Sequence, residues 1–173
     1  MRQSEPRQTC NLATLYGQEV MPWRRAAEAL GSGSLSPEVP CFLGTLRPDG
    51  RPHAAGVGVV VWDDDLFFTS GPGTRKARNL GANASCTLSM RLDGIDLVLE
   101  GEARRDSDPR TLAAVALAYV QGGWPAQVEG DAITAPYSAQ SAGPGPWWLY
   151  RFQIRAAFGV GLRPPHGASR WDF

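Results

Sequence analysis

At 173 residues, 43% apolar and 20% charged, the chain has the size and composition of one globular domain with its own core, not of a disordered or disulfide-stapled one. Seventeen basic residues balance seventeen acidic ones, so neither nucleic acid nor a membrane surface is an expected partner. No apolar run reaches the roughly 18 residues that span a bilayer, Met1 to Cys10 lacks the apolar centre of a signal peptide, and the scattered Cys10, Cys41 and Cys86 suit neither a disulfide framework nor a zinc site, so a cytoplasmic protein with no metal centre is expected.

Residues 1–18 show no periodicity and read as a tail. Pro22 to Leu30 reads as a short helix, with proline suited to its first turn and Gly31 to its end. Gly31 to Pro40 is a Gly/Ser/Pro connector. The expected division is therefore an N-terminal tail and helix over 1–40 and a domain over 41–173. Strand-like segments follow at Cys41 to Leu46, Pro52 to Trp62 and Leu66 to Ser70, separated by the turn signals Arg47-Pro48-Asp49-Gly50 and Asp63-Asp64-Asp65. Ser85 to Arg91 alternates strictly, with Cys86, Leu88 and Met90 on one face, and Leu92-Asp93-Gly94 turns it into Ile95 to Arg105. Pro109 to Gln121 is the clearest helix: Asp108 is a candidate cap, and Leu112, Val115, Ala116, Tyr119 and Val120 make one apolar stripe. Trp124 to Pro146 reads as a long loop, Trp147 to Arg155 as an alternating strand, and Ser169 to Phe173 as a short last strand. Six or so strands joined by hairpin turns point to a small antiparallel barrel with helices outside it.

Three places carry possible chemistry. In the run Thr69 to Leu80, a strand end passes through Gly71-Pro72-Gly73 into a short helix that Thr74 can cap, with Arg75 and Lys76 in its first turn. Cations are unfavourable at that end of a helix unless an anion is present, so this is either a phosphate site or a solvated basic turn. Lys76 is the only lysine among seventeen basic residues, the rest being arginine. In Pro52 to Trp62, Gly56 and Gly58 fall on one face, which serves either a flat ligand or a bend at a barrel corner. At the C-terminus, Arg170 and Trp171 either close over a planar ligand or simply dock the last strand. Histidine or zinc chemistry and a hydrolase serine elbow have no support, and Cys41 and Cys86 read as core thiols. That scarcity points to a cofactor carrying its own chemistry.

The segments Phe42 to His53, Phe67 to Leu80, Leu97 to Ala103, Ala142-Gly143-Pro144-Gly145-Pro146 and Arg170 to Phe173 resemble, in the same order, the pyridoxamine 5′-phosphate oxidase-like split β-barrels. The resemblance implies a six-stranded antiparallel split β-barrel and a homodimer with two cofactor sites at the subunit interface. It also implies FMN or the deazaflavin F420 as cofactor, the Arg75-Lys76-x-x-Asn79 pattern being closer to the F420-dependent actinobacterial branch. By resemblance, Ser70, Arg75, Lys76 and Asn79 hold the cofactor phosphate beside Thr69, residues Gly56, Val57, Gly58 and Val59 back the ring, and Arg170 and Trp171 lie near the ring or tail. The implied activity is hydride transfer between this cofactor and a small planar or unsaturated organic substrate. A non-catalytic flavin, deazaflavin or haem carrier of the same fold is the alternative.

Overall fold

Alternating apolar positions place strand after strand on one antiparallel sheet. In the computed structural model, which describes residues 5–31, 33–139 and 142–173, the chain runs β1 (Gln8–Asn11), α1 (Trp23–Leu30), β2 (Gly33–Ser34), β3 (Cys41–Leu46), β4 (Pro52–Gly56), β5 (Val59–Trp62) and β6 (Asp65–Ser70). It continues through α2 (Arg75–Ala82), β7 (Ser85–Leu92), β8 (Ile95–Asp106), α3 (Pro109–Gln121), β9 (Gln127–Glu129), β10 (Ala132–Thr134), β11 (Trp148–Gly161) and β12 (Ala168–Asp172). The main sheet has the order β2-β5-β6-β11-β8-β7-β3-β4. The long β11 is the seam of the split barrel: its first half pairs with β6, its second half with β12, and β8 lies along both. The fold class is mainly β and antiparallel, as the alternation implies. Among the described residues, no helix is long and apolar enough to cross a membrane.

Tight turns set the register. The β5–β6 hairpin closes on Asp63 and Asp64, both left-handed at φ 49° and 67°, a conformation aspartate tolerates better than most residues. In β6, Leu66, Phe67 and Phe68 are all buried, because this strand is covered on both faces. Phe68 faces the barrel interior with Leu43, Leu88, Leu99 and Phe152, while Phe67 packs under α3 with Leu112, Val115 and Leu149. Asp108 caps α3 by accepting the Thr111 N–H at 2.8 Å. Arg151 on β11 binds Asp65 at 3.0 Å and Asp106 at 2.7 Å, tying β6, β8 and β11 together near the start of α3.

Several elements differ from the sequence reading. Residues 8–11 are not tail but strand, paired with β12; their side chains are largely exposed, so the pairing runs through the backbone and leaves no hydrophobic period. The Pro52 to Trp62 segment is two strands, broken at Val57 and Gly58. The 124–146 loop contains the β9–β10 hairpin, and the strand begun near Trp147 extends to Gly161. The last strand is Ala168–Asp172, and Trp171 on it is fully buried: its indole N–H donates to the Met21 carbonyl at 3.1 Å and its ring meets Trp23 edge-on at 5.3 Å. Gly159 permits this, since a Cβ there would lie 2.7 Å from the Trp171 ring.

Candidate functional site

The β6 strand delivers the chain to a glycine turn. Thr74 caps α2 by accepting the Ala77 N–H at 3.2 Å, and its hydroxyl sits 2.7 Å from that of Ser70. Lys76, in the first turn, is half-buried, and burial lowers its ammonium below the ordinary lysine range. Every ion pair among the described residues uses an arginine; none uses Lys76. A partly desolvated cation at the positive end of a helix, with no acid beside it, is the electrostatic signature of an anion site.

Lys76 stands on the edge of a cleft of about 430 Å³. The floor is the corner where the chain leaves β3 and joins the other half of the sheet: Val57 N–H still donates to the Cys41 carbonyl at 3.1 Å, and from Val59 the chain pairs with β6. A Cβ added at Gly56 or Gly58 would meet nothing within 4 Å, so the space above both is open. The two glycines therefore make the bend and leave a smooth floor at once. Leu35, Ser36, Pro37 and Val39 form one wall; Tyr119, Trp124 and Trp147 form another, the two indoles 5.5 Å apart. Among the described residues, no acidic side chain lines the cleft. Burial pushes the Cys41 thiol up to about 12, so it lines the cleft as a neutral group. The arrangement suits a ligand with a flat apolar body and an anionic group at one end.

Residues 34–154 match the family described as Pyridoxamine 5′-phosphate oxidase. The chain belongs to the pyridoxamine 5′-phosphate oxidase family. No curated protein matches the sequence. A conserved hypothetical protein of Mycobacterium tuberculosis superposes with a TM-score of 0.60 at 19% identity, covering 84% of this chain and 90% of that one. A pyridoxamine 5′-phosphate oxidase-related, FMN-binding protein of Nostoc punctiforme gives 0.54 at 18% identity, covering 86% and 88%. A haem-binding protein of Mycobacterium smegmatis gives 0.54 at 16% identity, covering 82% of this chain and 53% of that one. At these identities the likeness is one of fold.

Of the residues singled out by sequence and family resemblance, Gly56, Val57, Gly58, Val59, Thr69, Ser70 and Lys76 meet at this cleft. Arg75 is exposed beside it. Asn79 is not in it: the side chain is 1% exposed and its Nδ2 donates to Thr45 Oγ1 at 3.0 Å, bolting α2 onto β3. Arg170 and Trp171 are not at the cleft of their own chain either. Trp171 is spent on the core, and Arg170 pairs with Asp172 at 2.7 Å over the Phe158 ring. Sequence reading missed Tyr119, Trp124, Trp147 and the 35–39 wall. Tyr119 was visible only as one apolar position on α3; its hydroxyl was the unread signal.

His53 lies within the field of these cations. Partial burial first, then the charges of Arg47, Lys76 and Arg75, hold its imidazole below the usual histidine range. In the free protein the unfolded chain therefore takes the proton first. The stability carried by neutral His53 is present above the unfolded value of about pH 6.5 and is lost as pH falls below it through the lower value of the folded state. An anion bound among these cations cancels part of their field, so binding draws a proton onto His53, and by linkage acid strengthens binding. The expected result is that the ratio of dissociation constants, His53→Gln over wild type, rises a few-fold from pH 7.5 to 5.5 in parallel titrations, a phosphate ligand's own titration cancelling in the ratio. A ratio independent of pH would show that His53 does not sense the anion.

Proposed function

We propose that the protein binds FMN or F420 in this cleft and transfers a hydride between that cofactor and a small planar or unsaturated organic substrate. The observation that carries the reading is Lys76: a half-buried cation, unpaired among the described residues, at the α2 N-terminus and at an apolar cleft floored by open glycines. The phosphate would lie at Lys76 and the ring over Gly56 to Val59, with Thr69 and Ser70 between. The cofactor supplies the hydride chemistry; the chain's part is to orient the ring, exclude water and neutralise the phosphate. The carrier reading keeps its flavin and deazaflavin forms. Haem is poorly served, since among the described residues no histidine or methionine lines the cleft. The visible spectrum after adding each cofactor tests binding, two bands marking a flavin and one a deazaflavin. Steady oxidation of the reduced cofactor by an added acceptor separates enzyme from carrier, and its absence with every acceptor tried would favour the carrier.

We infer further that the protein works as a homodimer. On the outer face of the sheet, Gly56, Phe42, Ser89, Val98, Phe158 and Arg170 are successive cross-strand partners. This row spans five strand spacings, about 24 Å. Phe42 and Val98 on it are 52% and 37% exposed. A row running from the cleft floor at one end to an arginine at the other is self-complementary when two copies meet in opposite directions. Arg170 would then reach a cleft as the partner's residue, which its own chain's geometry forbids. Sedimentation at micromolar concentration is expected to show a dimer that Phe42→Asp dissociates; a wild-type monomer would remove the inference.

A further inference from the structure

The corner under the cleft has a weakness that the strand ladder does not repair. Between β4 and β5 the chain changes partners, and no backbone N–H among the described residues donates to the Gly58 carbonyl. The Tyr119 hydroxyl does, at 3.1 Å. Tyr119 comes from α3, is 4% exposed, lines the cleft and packs edge-on against Trp124 at 4.9 Å. We propose that Tyr119 is the positioning residue of the cleft floor: its hydroxyl fixes the Gly58 carbonyl at the corner and so keeps the space over Gly56 and Gly58 open and flat.

Three features support it. The glycine pair that frees the floor also removes the side chains that would stiffen it, so the corner needs an outside anchor. The anchor is rigid, because the phenol ring is clamped by Trp124 and by the apolar face of α3. Burial raises the phenol well above its ordinary range, so the hydroxyl stays a donor at any working pH. One side chain thus joins α3 to the corner at the place where a ring would lie. The proposal rests on the reading of the cleft as a ring site and adds the residue that shapes it.

Tyr119→Phe is the test, since it keeps the ring and removes the bond. In the free protein, amide exchange at Val57 to Val59 is expected to quicken about tenfold, the equivalent of one ordinary hydrogen bond. Riboflavin, which has the ring and no phosphate, is expected to bind the variant roughly three- to tenfold more weakly. The constant for inorganic phosphate competing against FMN should not move. A merely structural tyrosine would lower the melting midpoint and leave this ring-against-phosphate split absent. Unchanged exchange, or faster exchange with unchanged riboflavin affinity, would overturn the proposal. If the wild type binds neither FMN nor F420, the ring reading fails instead, and the exchange rates alone decide whether Tyr119 positions the corner.

Discussion

The Lys76→Ala variant is expected to bind FMN or F420 roughly ten- to hundredfold more weakly than the wild type, the effect of losing one charge-assisted hydrogen bond to phosphate. Stability should not fall with it. The ammonium is half-buried with no acid partner among the described residues, and its lowered proton affinity means that the unfolded chain holds that proton more tightly. At neutral pH the charged lysine therefore opposes folding slightly, and alanine relieves this. Raised salt should weaken the wild type and affect the variant less. Arg75, exposed and off the cleft, should matter less than Lys76. Arg104→Ala is the control, because Arg104 pairs with Glu102 at 3.0 Å away from the cleft. Fluorescence titration at two salt concentrations checks all of these, and equal affinity in Lys76→Ala and wild type would remove the phosphate from this turn.

Gly58→Val should abolish cofactor binding, a loss beyond about a hundredfold, while leaving a folded protein. A Cβ there meets nothing within 4 Å, and Gly58 is not among the left-handed glycines, so valine can be accommodated in the free protein. Its methyl groups would stand where the ring must lie. Gly101 makes the contrast: a Cβ there would run into the Gln153 carbonyl, so that glycine serves packing rather than an opening. Melting and binding should be measured on the same Gly58→Val sample. A lowered midpoint with wild-type affinity in the folded fraction would mean that the glycines serve only the bend.

Most of the barrel was readable because its strands bury one face and solvate the other. Ser85 to Arg91 and Ile95 to Arg105 show that alternation directly, and both lie centrally in the sheet. β1 was unreadable because an exposed strand held by backbone bonds needs no pattern. The break at Val57-Gly58 was hidden by the apolar run on either side of it; the switch of strand partner is a long-range fact. The same holds for the cleft. Its floor and its lysine announce themselves through glycines in a strand and a cation at a helix start. Its walls come from residues 35–39, from Trp124 and from Trp147, which carry no period and meet only in the folded chain. Trp171 could have been placed better: it alternates with Arg170 and Asp172 on a strand, and the aromatic of such a triplet faces inward.

The most direct measurement is a crystal structure of the protein with the cofactor that its visible spectrum identifies. The phosphate is expected within about 3 Å of the Lys76 ammonium and the ring flat over Gly56 and Gly58. A cofactor seated elsewhere, or one in this cleft with its phosphate turned away from Lys76, would contradict the assignment.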